Sequence, residues 1–171
     1  MLGAYKVCPA FMNTAPSFDL ATAHRYLAAF CFNQTWGHLE NADRSAADNE
    51  EMRALAHASL WHWQQRKDCT SRNLTIAFWL LSRVYAVLLR PTDASEYGFL
   101  ALKFAEREPA YFLGYAYEAL ARAAALHGDR VATERNLALA WEQVALVRDD
   151  EGRTRLRADL DEIGTQVGLK I

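Results

Sequence analysis

The amino-acid sequence predicts an all-α fold, about seven helices laid out as stacked antiparallel hairpins, and three observations lead there. Proline occurs only at 9, 16, 91 and 109, and glycine at 3, 37, 98, 114, 128, 152, 164 and 168, so the breakers sit mostly near ends and joints. The stretches between them are rich in Ala, Leu, Arg and Glu, with few β-branched residues and no alternating run of strand length. The chain also repeats itself. Displaced by 39 residues, "AFWLLSRV" at 77–84 lies over "AYEALARA" at 116–123, pairing Ala77 with Ala116, Phe78 with Tyr117, Leu81 with Leu120 and Arg83 with Arg122.

Residues 1–16 read as a flexible N-terminal segment, with one lysine, no apolar run of signal length and no small-residue cleavage pattern; Met12 is an alternative start to Met1. Residues 17–171 form a single helical-repeat domain. Its first hairpin, about 17–68, opens with a helix over 18–39 capped by Ser17 or Asp19. The polar joint "ENADRSAADNEE" follows, where Ser45 and Asp48 are spaced as a capping box and acidic residues favour the next helix's positive end. The second hairpin, about 73–107, holds helices over 73–89 and 94–107 separated by "RPTD", with Pro91 ending one and Thr92 or Asp93 capping the other. The third, about 110–147, has helices over 110–127 and 130–147 joined at "HGD", where Gly128 takes the left-handed conformation that closes a helix. A last helix over 150–163 stops at Gly164 and carries Leu156, Leu160 and Ile163 on one stripe with charge elsewhere, as a solvated cap on a repeat end. The second helices of the two later hairpins align at a shift of 35, Leu102 and Ala105 over Leu137 and Ala140, and a weaker third copy starts with "AFCFNQTW" at 29–36.

The segment "YEALARAAALHGDRVATERNLALA", with Tyr117, Leu120, Ala121, Gly128, Asp129, Leu137 and Ala140, resembles tetratricopeptide repeats. It departs from them at Ala124, at Thr133 and in lacking a proline after the second helix; the earlier hairpin keeps Phe78, Leu81, Ser82 and Tyr85. The resemblance covers about 73–147, and 17–68 loosely, and implies a right-handed solenoid, an α-α superhelix with a concave binding side. With "FNQTW" and "AHASLWHW", the chain is also similar to uncharacterised bacterial proteins of this helical kind, a resemblance that implies a fold and no activity.

Composition narrows the function. A chain of 171 residues supports one core, and a net charge of −2 supplies no field for nucleic acid or anionic lipid. Cys8, Cys31 and Cys69 are odd in number and widely spaced, which suggests neither a disulfide framework nor a zinc knuckle and suits a cytoplasmic protein. The most apolar run, 74–89, has Ser82 and Arg83 at its centre and falls short of the ~20 residues that span a bilayer. No catalytic serine elbow, phosphate loop, HExxH or nucleotide fingerprint occurs, and no basic stripe with interleaved aromatics.

Candidate residues are then polar groups in apolar places. In "HASLWHW" at 57–63, Met52, Leu55, Ala56, Ser59, Leu60 and Trp63 share one helical face, with His57 and Trp61 on the other flank. His57 is expected to bond between helices and stack on Trp61. The sharper alternative gathers His24, His57 and His62 on a metal with Glu50 or Glu51, although histidines five apart on a helix point away from each other. His38 and His127 lie near helix ends and read as structural. Asn33, set among Phe30, Phe32 and Trp36, either fixes a helix crossing or binds the backbone of a guest peptide. Arg83 and Arg122, equivalent in the two repeats, form either a repeated architectural ion pair, Arg83 with Asp93, Glu96 or Glu118, or a groove-lining row. Trp36, Trp79 and Trp141 read as filler between helices.

The expected function is a non-catalytic scaffold without a cofactor, binding a protein or peptide through Asn33, His57, Trp61, Arg83 and Arg122. The rivals are a metal-dependent or small-molecule-binding helical-bundle enzyme using His24, His57 and His62, and a homo-oligomeric module pairing through aromatic surface on its first helices.

Overall fold

A computed structural model describes residues 17–168, and within them the chain is all-helical with no strand. Seven helices follow in order: α1 (Leu20–Glu40), α2 (Ala46–Gln64), α3 (Ser71–Val87), α4 (Pro91–Ala105), α5 (Ala110–His127), α6 (Arg130–Val144) and α7 (Asp150–Gln166). The segment 1–16, with Met12 and Cys8, lies outside the described residues.

The starts are set by side chains that satisfy the free N–H groups of a first turn. Asp19, Asp129 and Asp149 accept from the amides of Thr22, Ala132 and Gly152. Ser45 with Asp48, and Thr70 with Asn73, close reciprocal capping boxes. At the end of α1 the Arg44 guanidinium donates to the carbonyls of His38 at 2.8 Å and Leu39 at 3.1 Å, doing with a side chain what a C-terminal glycine does with backbone.

Two expected boundaries are corrected. Pro91 begins α4, because its fixed φ and missing N–H suit the first helical position; the N-cap is Arg90, not Thr92 or Asp93. Gly164 does not stop α7, which runs on to Gln166; Gly164 is buried inside the helix.

Moving Pro91 into α4 also corrects the repeat. The residues buried on α4 are Ala94, Gly98, Ala101 and Ala105, and those on α6 include Thr133, Leu137, Ala140 and Val144, each 39 positions on, the separation that also relates Trp79 to Glu118. One register therefore runs through both hairpins, and the shift of 35 for the second helices is not kept. Leu89 and Gly128 occupy the same place in it, with φ of 55° and 72°. Each closes its helix with a 6→1 and a 5→2 bond, Arg90 N–H to Tyr85 and Leu89 N–H to Ala86 in one, Asp129 N–H to Ala124 and Gly128 N–H to Ala125 in the other.

The helices pair as hairpins α1–α2, α3–α4 and α5–α6, with α7 packed on α5 and α6. The odd-numbered helices also touch one another in sequence, α1 to α3, α3 to α5 and α5 to α7, while the backbones of α2, α4 and α6 stay apart. The odd helices thus form one continuous layer. Its core joins Met52, Phe78, Leu80, Leu81 and Val84 to the small residues of α4, and a second cluster under α7 gathers Leu137, Leu156, Leu160 and Ile163. Glycine lets the layers close in: a Cβ on Gly114 would stand 2.6 Å from Leu156 Cδ2 and 3.3 Å from Gln143 Cβ.

Candidate functional site

A groove of about 570 Å³ runs across the odd layer. It is lined by Phe32 and Trp36 of α1, Thr75, Ile76, Trp79 and Arg83 of α3, Tyr111, Phe112 and Tyr115 of α5, and Arg155, Ala158 and Asp159 of α7. No even helix contributes. The helical spacing explains why: Phe32 and Trp36, Ile76 and Trp79, Tyr111 and Tyr115, and Arg155 and Asp159 are three or four residues apart, so each helix presents one stripe to the same side.

The aromatic members form a chain of ring contacts. Trp36 lies 5.8 Å from Trp79, Trp79 meets Tyr115 edge to face at 5.1 Å, and Tyr115 meets Tyr111 at 5.0 Å. These distances are those of favourable aromatic pairs, which fix the rings without filling the groove. Farther along, Arg72 sits 4.8 Å above the Phe112 ring and is held there by Glu108 at 3.1 Å.

Beneath the rings lies a charged cluster centred on Glu118, which is fully buried. Its Oε2 accepts from the Trp79 indole N–H at 2.8 Å, and its Oε1 accepts from Arg122 Nε at 2.8 Å and Arg83 Nη1 at 3.2 Å. Helix α7 adds two carboxylates. Asp159 lies 3.4 Å from Arg83 and accepts from the Tyr115 hydroxyl at 3.0 Å, while Glu162 lies 3.4 Å from Arg122. Burial alone would push Glu118 up, but Arg122 and Arg83, with the Trp79 N–H, outweigh it and hold the carboxyl below its usual range. Asp159 goes the other way: burial and the nearby Glu118 charge raise it, and Arg83 only partly compensates. Burial and Asp159 also push the Tyr115 phenol up, so it stays protonated as a donor.

Of the residues singled out in the sequence, Arg83 lies in this groove. Arg122 is behind it, buried against Glu118 and Glu162. The two arginines make the architectural ion pairs and not a groove-lining row, and both do so with one carboxylate, Glu118, which of the three partners expected for Arg83 is the one it meets. Asn33 is exposed on α1 and off the groove, so the expected buried amide is not there. The opposite flank of α2 splits. His57 shares a 2.9 Å hydrogen bond with the Tyr85 hydroxyl and packs edge-on against Tyr85 and Tyr97, not on Trp61. Trp61 is half-exposed and sits beside His24 and His62. Trp36 and Trp79, read as filler, are groove walls.

The three histidines do not converge. His24 Nδ1 and His62 Nδ1 are 2.8 Å apart between α1 and α2, one ring supplying the N–H and the other the lone pair, with His57 turned to α3. Burial, then the neighbouring His24 charge, lowers the pKa of His62; burial, then Arg53, lowers that of His57. Among the described residues no group of three or more His, Cys, Asp or Glu side chains is placed to hold a metal ion, and no helix is long and apolar enough to cross a membrane.

Compared with protein-family models, curated proteins and solved structures, the chain matches none. The reading of the groove rests on its own geometry.

Proposed function

We propose that the protein is a non-catalytic scaffold of tetratricopeptide-like type, acting in the cytoplasm, whose groove receives an extended segment of a partner protein. One observation carries this reading: the first helices of three successive hairpins, together with α7, each contribute a stripe to one apolar, aromatic-walled trough. Repeated units stacked side by side expose such a trough naturally, and extended peptides bind by placing alternate side chains in it. Trp79, Arg83 and Tyr115 along it are already bonded to protein partners, which suits holding a guest better than moving protons or electrons in a reaction.

Selection of a displayed random-peptide library on the purified protein tests this. Enriched peptides are expected to change the tryptophan emission from Trp36 and Trp79 and to lose about tenfold or more in affinity with Ile76→Lys, which puts an unpaired charge on the trough wall. Melting temperature serves as the control. A library that enriches nothing, or binders indifferent to Ile76→Lys, sinks the reading. Self-association is a second property, supported by the exposed Tyr26, Phe30 and Trp61 on α1 and α2. Light scattering across a dilution series checks it.

A further inference from the structure

The charge at the floor of the groove does not balance. Glu118, Asp159 and Glu162 are three carboxylates, and Arg83 and Arg122 are two guanidiniums. Both arginines are bridged between carboxylates, Arg83 by Glu118, Asp159 and Glu162 and Arg122 by the same three. The other cation lining the groove, Arg155, is paired with Glu151 one turn back on its own helix. The surplus is therefore negative, and Asp159 is the one carboxylate of the cluster that lines the groove, beside Arg83. Its position there is poorly compensated: burial and Glu118 disfavour its charge more than Arg83 favours it.

The walls have the matching property. Aromatic rings attract cations over their faces, an effect that strengthens as the pair leaves water. The same stripe already holds a cation in this way, Arg72 over Phe112. A neutral apolar guest would leave the Asp159 charge further desolvated, and an anion would meet a net negative floor. A guest cation relieves both.

We propose that the groove binds an organic cation, a guanidinium or alkylammonium group, seated among Trp36, Trp79 and Tyr115 with Asp159 as its counter-ion. On the scaffold reading above, this cation is the Arg or Lys side chain by which the partner segment is anchored.

The probes are n-butylguanidinium and n-butyltrimethylammonium, set against neutral n-butylurea and anionic pentanoate, titrated with tryptophan emission as readout. The cations are expected to saturate and to bind about tenfold tighter than n-butylurea. That preference should fall to near unity with Asp159→Asn, which keeps an acceptor for the Tyr115 hydroxyl. Glu162→Gln removes the same surplus from a half-exposed position and guards against a folding defect in the first variant. Equal or tighter binding of n-butylurea or pentanoate, no saturable change with the cations, or a cation preference that survives both substitutions overturns the proposal. The peptide selection separates the two ideas: enriched peptides free of Arg and Lys leave the scaffold standing and remove the cation, whereas saturable cations with no enriched peptide do the reverse.

Discussion

The α3–α4 and α5–α6 hairpins run in one register, yet at three matched positions they carry different chemistry. Where α3 ends on Leu89 in the left-handed conformation, α5 ends on Gly128. Where Ser82 donates from α3 to the Ala94 carbonyl of α4 at 2.7 Å, α5 has the buried Ala121. Where α3 has Trp79, α5 has Glu118, and the two are hydrogen-bonded to each other across the joint. The first two differences leave the backbone alone, because the closing hydrogen bonds and the packing of small residues on α4 already define it. The third makes the joint between the hairpins specific. A carboxylate in a repeated position becomes the common acceptor for an indole and two arginines, and it ties α7 to the layer through them.

Removing that carboxylate is the largest test of the comparison. Glu118→Ala leaves two guanidiniums and an indole N–H without their shared partner and is expected to cost about 3–5 kcal/mol in urea denaturation. A loss below about 1 kcal/mol would mean that α7 carboxylates replace it and that the joint is not specific.

Acid should take the molecule apart in two stages, which sharpens the contrast between this ionic joint and the neutral histidine joints of α2. His57 and His62 are held below the usual 6.5, so the unfolded chain binds more protons than the native one as pH falls. Their contribution to stability is complete above pH 6.5 and is lost as pH drops through the lower native values. Glu118 is held below the usual 4.5, so its contribution is complete above pH 4.5 and lost on further acidification. In thermal melts against pH, His57→Gln should weaken the first decline and Glu118→Gln the second. A single decline, untouched by His57→Gln, would contradict the assignment.

The matched helix ends give the smallest effects and the clearest signs. A Cβ on Gly128 meets nothing within 4 Å, so Gly128→Leu tests conformation alone and should cost about 1–2 kcal/mol. Leu89→Gly, at an exposed site with the same backbone, should stabilise by about 1 kcal/mol or less, since glycine's freedom in the unfolded chain offsets part of the relief. Opposite shifts in melting temperature are expected, and shifts of one sign would break the equivalence of the two ends.

What could be read in advance follows the range of the interaction. The caps at Asp19 and Ser45 and the glycine at 128 depend on bonds within a few residues, and each is found where its pattern stood. Pro91 departs from expectation because the same residue stops one helix and starts another, and the chemistry that closes α3 at Leu89 carries no glycine to mark it. Asn33 is exposed against expectation because periodicity says which residues share a face but not which face is covered. The groove was half visible: Phe32 with Trp36 and Tyr111 with Tyr115 are aromatic pairs at helical spacing, each on the first helix of a hairpin. Asp159 gives no such sign, standing on the charged side of a helix whose apolar stripe is Leu156, Leu160 and Ile163.

By itself the sequence determined the seven helices, the caps at Asp19, Ser45 and Gly128 and the 39-residue shift from α3 to α5 that separates Trp79 from Glu118, since these come from backbone hydrogen bonding and side-chain period along one stretch of chain. Only the tertiary structure decided that Arg83 and Arg122 share Glu118, that α7 brings Asp159 beneath the rings, and that His57 parts from His24 and His62. Those outcomes turn on which groups lose water together. Desolvation and charge act through space between helices far apart in the chain, and no local pattern records them.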